Sequence, residues 1–176
     1  TEFTLYDSYS SISEAQYTVK IPYRLYFEGS VRGLSTGAPV EFRGIKIGSV
    51  TDVRLEYDLA SRAVRIPVTI EIEPQRIDIV DGTQNRVVMG SSIGDRRAAY
   101  GRMEAMVANG LRAQLASGSL VTGQLVVALD FHPQAAAQQL KMGGLYPEIP
   151  TIPSDLEKIT RSVEGIIGKI GALVGV

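Results

Sequence analysis

Side chains that could perform catalysis are few in this chain. His132 is the only histidine, and it stands next to Pro133 without a serine or cysteine motif that would supply a nucleophile. Glu71, Glu73 and Asp78 are spread along strand and loop segments and match neither the H-E-x-x-H nor the D-x-D-x-D-G pattern of metal sites. The glycine-rich stretches do not form a phosphate-binding loop. We therefore expect no enzymatic activity, no metal and no cofactor.

Leu120 and Val121 indicate a different kind of chemistry, the contact of apolar surfaces. They lie in the middle of LASGSLVTGQLVVAL, where glycine and serine residues predict a loop between two strands. Large apolar side chains at a loop tip are unfavourable in water unless a partner or a ligand covers them. The pair is therefore a candidate contact site. In the alternative interpretation, both side chains fold back over the end of their own domain.

The elements that must position this loop are strands. Residues 111–115 before the loop and 124–131 after it carry apolar side chains at every second position, which predicts a hairpin. The same alternation occurs in residues 17–27 and 64–72. A period of two places one face of each strand against a core and the other face toward water or a partner. The pattern therefore predicts a mostly β domain.

One helix is predicted within this β pattern. Residues 81–94 are polar and glycine-rich and predict a loop. Asp95 then suits a helix N-cap, and Gly110 suits the left-handed residue that ends a helix. Met103 and Val107 are four residues apart and share one face. We expect a helix between Asp95 and Gly110 that packs on the β domain, which we expect to be a small barrel.

The segment 31–50, VRGLSTGAPVEFRGIKIGSV, contains four glycines between short apolar runs. Gly33 and Gly37 bracket a predicted turn, and Gly44 marks the next one, because glycine supplies the positive φ that tight turns need. Apolar positions fall out of phase after Gly48, which predicts a β-bulge that bends the strand. We expect this motif to form the turns and strands around which a small curved sheet is built.

The end of the chain has a different pattern. Residues 150–153 form a proline-rich connector, and Ser154 and Glu157 then match the S-x-x-E capping box that opens a helix. Apolar residues follow at spacings of three and four, which is a heptad pattern: Leu156, Ile159, Val163, Ile166, Ile170 and Leu173. Such a narrow seam favours association between chains over packing on the chain's own domain.

The composition excludes some classes of protein. The 176 residues carry a net charge of −1, whereas a chain that coats nucleic acid or an anionic membrane needs a basic excess. The absence of cysteine excludes disulfides and thiolate metal sites. We find no signal peptide, and no uncharged apolar run reaches the roughly 18 residues of a spanning helix. We expect a soluble chain that is an excised piece of a larger, anchored protein.

The pattern V-x-GL-x-x-GAPVEFRGI-x-IG-x-V resembles the core motif of the mammalian cell entry (MCE) domain. The sequence FEGSVRGLSTGAPVEFRGIKIG is most similar to the paraquat-inducible protein B branch of that family. The resemblance extends more loosely from about Tyr17 to Pro150. It implies an all-β fold, a small seven-stranded barrel with an inserted short helix and a C-terminal helix. It also implies a homo-oligomer, a hexameric ring around a hydrophobic pore.

The same resemblance implies a domain division and a function. Residues 1–15 would connect to a preceding domain, 16–152 would form the barrel with 81–110 as an insertion, and 153–176 would begin a coiled-coil needle. Leu120 and Val121 would line the pore of a periplasmic tunnel in a double-membraned bacterium, anchored in the inner membrane and carrying phospholipid or another lipid between the two membranes. An inner-membrane protein of the same system would be its partner, with no nucleic acid involved.

Two other functions are compatible with a small barrel. The first is a non-conducting periplasmic scaffold or adhesion module, which differs from a conduit only in whether lipid occupies the assembled interior. The second is a nucleic-acid-binding barrel of the OB type, which needs basic and aromatic residues on one face. The candidates for that face are Arg24, Tyr26, Arg43 and Lys46. Glu28 and Glu41 lie among them, and with the slightly acidic charge they argue against this interpretation.

Overall fold

The computed structural model describes residues 17–83, 85 and 95–174. In this part of the chain, seven strands, two α-helices and one 3-10 turn at Pro74–Arg76 form the regular structure. The strands are β1 Ile21–Phe27, β2 Pro39–Phe42, β3 Ile45–Val53, β4 Glu56–Tyr57, β5 Val64–Ile72, β6 Leu111–Ser117 and β7 Leu125–Phe131, and the helices are α1 Arg96–Ala108 and α2 Asp155–Val174. The predicted fold class is confirmed. The predicted connector at 1–15 lies outside the described residues.

The seven described strands form one curled sheet. Their order is β1-β5-β3-β2-β7-β6, with β4 paired to β5. Neighbours run antiparallel, except that β2 and β7 are parallel, with Val40 opposite Val127. Because β2 belongs to the glycine motif and β7 follows the loop at Leu120, this pairing joins the two segments that the sequence analysis identified.

A short segment, residues 147–152, bridges the two edges of the curled sheet. On the β1 edge, the N–H of Arg24 donates to the carbonyl oxygen of Pro147 at 2.8 Å, and the N–H of Ile149 donates to the carbonyl oxygen of Arg24 at 3.0 Å. These bonds pair the N–H and the carbonyl oxygen of Arg24, which point away from β5 on the outer edge of β1. An edge strand would otherwise leave unpaired polar groups.

The same segment completes the β6 edge. The N–H of Ala113 donates to the carbonyl oxygen of Pro150 at 3.0 Å, and the N–H of Ile152 donates to the carbonyl oxygen of Ala113 at 2.9 Å. Residues 150–153 are therefore not only the connector that their prolines predicted. A proline can stand in a ladder where only its carbonyl is used, because it lacks nothing but the N–H. We refer to residues 147–152 as the closing segment.

The core fills the interior of this barrel. Alternate residues of the strands point inward, and the centre is formed by aliphatic side chains with no exposed surface, among them Leu25, Val40, Val68, Ile70 and Val127. Helix α1 covers one end of the core with Ala99, Met103 and Val107, which are four residues apart and buried. The helix therefore packs on the barrel, as its apolar face predicted.

Both ends of α1 are capped as predicted. The carboxylate of Asp95 accepts hydrogen bonds from the N–H groups of Arg97 and Ala98, and Gly110 adopts a φ of +101° directly after the helix. The guanidinium of Arg112 is buried behind the C-terminus and donates to the carbonyl oxygen of Val107 at 3.0 Å. A positive charge at this end of a helix is favourable, because the carbonyl ends carry partial negative charge.

The first strand is shorter than the sequence pattern suggested. It begins at Ile21 instead of Tyr17, and the N–H of Val19 donates to the side-chain oxygen of Gln75 at 2.9 Å. The residues before Ile21 thus contact the 3-10 turn after β5 through a side chain. The alternation of apolar residues therefore extends further than the strand ladder.

The capping box at the start of α2 is confirmed. The N–H of Ser154 donates to a carboxylate oxygen of Glu157 at 2.8 Å, and the N–H of Glu157 donates to Ser154 Oγ at 3.2 Å. Two N–H groups that the first turn leaves without helical partners are satisfied in this way. The helix consequently begins directly after the closing segment.

The four glycines of the motif serve two different purposes. Gly33, Gly37 and Gly44 have φ values of +96°, +86° and +83°, which the turn pattern predicts. Gly48 has no positive φ and lies beside a register shift between β2 and β3. Val40 pairs with Gly48, but the next residue, Glu41, pairs with Lys46, so one residue of β3 is skipped. A Cβ atom on Gly48 would lie 2.1 Å from the carbonyl oxygen of Glu71. Gly48 therefore allows close contact of two strands.

Alanine substitutions should separate these two purposes. At Gly37 and Gly44 the added methyl meets open space, so the cost is that of the left-handed φ alone, about 1–2 kcal/mol. At Gly48 the methyl meets backbone that cannot move aside, and we expect a loss of about 3 kcal/mol. Urea denaturation of the single variants measures the difference. Equal losses at Gly44 and Gly48 would contradict the assigned packing role.

Candidate functional site

The loop between β6 and β7, residues 118–124, is held by its own hydrogen bonds, and we call it the tip loop. The N–H of Gly123 donates to the carbonyl oxygen of Ser119 at 3.0 Å, and the N–H of Ser119 donates to the carbonyl oxygen of Gln124 at 3.3 Å. The N–H of Thr122 donates to Ser119 Oγ at 3.2 Å. A loop closed in this way presents its central residues in one conformation.

Leu120 and Val121 stand at the apex of the tip loop. Their side chains are 93% and 97% exposed. The alternative in which they fold back over the end of the barrel does not describe this structure. Two adjacent apolar side chains thus project from a fixed loop into solvent, which is the arrangement expected of a surface that a partner or ligand covers.

The glycine motif contacts the backbone of the tip loop and of the first residue of β7 through Gly33. The N–H of Leu125 donates to the carbonyl oxygen of Gly33 at 2.9 Å. A Cβ atom on Gly33 would lie 2.2 Å from the carbonyl oxygen of Gly123. This contact between two backbones requires a glycine at position 33 for steric reasons as well as for its φ. The glycine spacing predicted Gly33 as a turn residue, but nothing in that spacing indicates its contact with the tip loop.

Helix α2 leaves the barrel at the same end as the tip loop. The closing segment runs parallel to β1 and to β6, with Glu148 opposite Arg24 and Thr151 opposite Ala113. Strand β6 runs from Leu111 toward the tip loop, so the closing segment delivers the chain to that end. The first turn of α2 and the tip loop therefore lie at the same end of the barrel, although more than 30 residues separate them in sequence.

One face of α2 is apolar and exposed. Of the predicted seam, Ile159, Val163, Ile166 and Ile170 are between 48% and 61% exposed. Ile167, which the heptad pattern did not include, is 63% exposed and widens the stripe. Nothing is described for the side chains of Leu156 and Leu173. Among the described residues, no helix has the length and hydropathy needed to cross a membrane.

The acidic residues considered for catalysis have structural partners. A carboxylate oxygen of Glu71 lies 3.5 Å from Lys20 Nζ, and Glu73 is paired with Arg76. His132 has a buried Nε2 atom without a hydrogen-bond partner. Within the described ranges, no three histidine or carboxylate side chains lie together as metal ligands would.

The residues suggested for nucleic-acid binding do not share one platform. In the sheet, Arg24 of β1 lies opposite Thr69 of β5, and Thr69 lies opposite Asp52 of β3. Lys46 is six residues before Asp52 on β3, so it lies far along the sheet from Arg24. Arg43 lies in the turn after β2 and donates from Nε to Asp130 at 2.9 Å. That hydrogen bond holds the pKa of Asp130 below its usual range. The basic side chains are thus dispersed and partly neutralised.

Comparison with known proteins gives a family. A solved structure described as "Acinetobacter MlaFEDB complex in ATP-bound Vtrans1 conformation" resembles 82% of this chain and 81% of that chain, with 17% sequence identity and a TM-score of 0.45. A family model described as "MlaD protein" matches residues 20–132, which include all seven strands and α1. Because this match spans more than half of the chain, the protein belongs to the MlaD family of MCE-domain proteins.

Proposed function

We propose that the protein is a subunit of a periplasmic tunnel that carries lipids between the inner and outer membranes. Six copies form a ring, and the tip loops converge on its axis to line a hydrophobic pore with Leu120 and Val121. The barrel has no catalytic part in this process. Family membership supports a role in lipid transport, and the exposed apolar pair on a fixed loop is the observation that carries the proposal.

The mechanism depends on solvation. Each methylene of an acyl chain that leaves water for an apolar wall gains about 0.8 kcal/mol. A ring of leucine and valine side chains offers such a wall without polar groups that would bind one lipid tightly. The same pair, which is unfavourably exposed in a single chain, becomes covered when neighbouring loops or a lipid approach it. Assembly and lipid passage therefore use the same two residues.

Helix α2 would extend the conduit beyond the ring. It begins at the end of the barrel that carries the tip loop, and none of the described residues covers its apolar stripe. Six such helices side by side would bury their stripes against one another and against lipid. In a paraquat-inducible protein B-like chain, which we propose here, residues 153–176 would begin the needle after the last of several MCE domains. An inner-membrane protein of the same system would be the partner at the other end.

Aspartate at positions 120 and 121 tests the role of the tip loop. Because both side chains are exposed, the Leu120→Asp, Val121→Asp double variant should melt within about 2 °C of the wild type. Photocrosslinking of lipid from position 122 should be lost in the double variant, since the charged wall disfavours acyl chains. The measurement uses the full-length assembly in membranes.

Leu59 supplies the matched control, because it is 85% exposed on a different loop. Leu59→Asp should leave lipid crosslinking from the tip loop unchanged. Crosslinking that survives the double substitution at the tip would remove the conduit role and favour the non-conducting scaffold.

Truncation tests the proposed role of α2. A chain that ends at Pro153 keeps all hydrogen bonds of the closing segment, so we expect a folded barrel with the β-sheet circular dichroism of the full chain. Self-association should weaken, because the stripe at Ile159, Val163 and Ile166 is gone. Sedimentation equilibrium of both chains measures this. The Ile159→Ser, Ile166→Ser variant of the full chain should weaken association to a similar extent, and unfolding of the truncated barrel would assign α2 to the domain's own core instead.

A further inference from the structure

A second apolar feature lies at the end of the barrel opposite the tip loop. It is a cavity of about 580 Å³ between the sheet and α1. Its walls come from the first residues of β1, β3 and β6 and the last residues of β2, β5 and β7, for example Ile21, Ile47 and Ile72. The tip loop joins the other ends of β6 and β7. The cavity is therefore separate from the proposed pore contact.

The chemistry of the lining favours an apolar guest. Apart from Arg76, Asp78 and Arg102, the side chains that line the cavity are aliphatic, aromatic or thioether groups. Met103 and Met106 on α1 face it, and methionine adapts its shape to different apolar ligands. Tyr23, also in the wall, is buried, its hydroxyl lies 3.4 Å from the carbonyl oxygen of Ala99, and burial raises its pKa. The tyrosine stays neutral, so it adds no charge that would repel an acyl chain.

In the described structure the cavity is open, and three charged side chains line it, those of Arg76, Asp78 and Arg102. Arg76 is paired with Glu73, and Asp78 has an interaction of its own. Ile45 and Ile77 at the mouth are 67% and 43% exposed. Arg102 on α1 lines the same mouth and, among the residues that the structure describes, forms no ion pair with a carboxylate. Volumes of roughly 300–1,000 Å³ with an apolar lining and few polar groups are typical of small-molecule sites.

We propose that this cavity binds one acyl chain of an anionic amphiphile, with the hydrocarbon between the sheet and α1 and the acidic group at Arg102. The apolar part of the lining favours a hydrocarbon guest, because contact with it removes apolar surface from water. Two arginines and one aspartate line the cavity, so its charged side chains sum to one positive charge, and Arg102 is the group that favours an acidic head over a neutral one. The site is complete within a single chain and does not depend on a ring.

Fluorescence titration of the full chain with dansyl-undecanoic acid tests the site. The wild type should bind the probe with a rise in fluorescence. Ala105→Phe fills the cavity from an exposed position of α1 and should weaken binding by about tenfold or more. Ala108→Phe introduces the same ring on the same helix outside the lining and should leave binding unchanged. Absence of wild-type binding, or equal loss in both variants, would overturn the proposal.

The role of Arg102 has its own comparison. Arg102→Glu should weaken binding of dansyl-undecanoic acid but not of its methyl ester, because the ester carries no charge. Arg97→Glu changes the same charge on an exposed residue outside the lining and should affect neither probe. Loss of both probes in Arg102→Glu would contradict the assigned charge contact.

Two further variants separate the cavity from the tip loop and from occupation by the chain itself. Leu120→Asp, Val121→Asp should bind the probe as the wild type does, so that failure of the tunnel and failure of this site give different results. Residues Val87, Val88 and Met89 lie outside the described structure and are themselves apolar. If the probe binds only after these three are replaced by serine, the chain's own segment occupies the cavity and the acyl site is wrong.

Discussion

The closing segment is the constraint on which the remaining architecture depends. By hydrogen bonding to both β1 and β6, residues 147–152 convert a curled sheet with two open edges into a barrel. Unpaired edges invite pairing with other chains, and a barrel removes them. Because both bridges are parallel, the same bonds decide at which end α2 leaves the domain. The same hydrogen bonds thus close the barrel around its core and set the direction of the C-terminal helix.

The tip loop depends on a second backbone contact at that end. Gly33 lies so close to Gly123 that no side chain fits between them, and the glycine motif thereby supports the loop that carries Leu120 and Val121. Exposing two such side chains in water is unfavourable for an isolated chain. The hydrogen bonds of the loop keep the pair away from the core of the described structure. In the proposed ring, neighbouring loops or lipid would relieve this unfavourable exposure.

The two ends of the barrel differ in what they offer an apolar ligand. At one end, convex apolar residues on the tip loop and α2 can meet copies of themselves, which suits a passage formed by several chains. At the other end, a concave cavity under α1 lies within one chain and carries Arg102 at its mouth. Convex groups without polar partners favour transient contact, whereas a concave cavity with charged groups in its lining favours retention. The distinction follows from shape and from these charged groups.

Local signals in the sequence determined much of this protein. Alternation of apolar residues predicted the strands, Asp95 and Gly110 bounded α1, and Ser154 with Glu157 opened α2, because each of these depends on neighbours within a few residues. Long-range backbone contacts were decided only by the tertiary structure. The prolines of residues 150–153 predicted a connector, yet the carbonyl oxygen of Pro150 and the N–H of Ile152 bond to β6. Spacing likewise could not show that Gly33 meets Gly123, or that a cavity remains beneath α1, because both depend on the curl of the sheet bringing together residues that are distant in sequence.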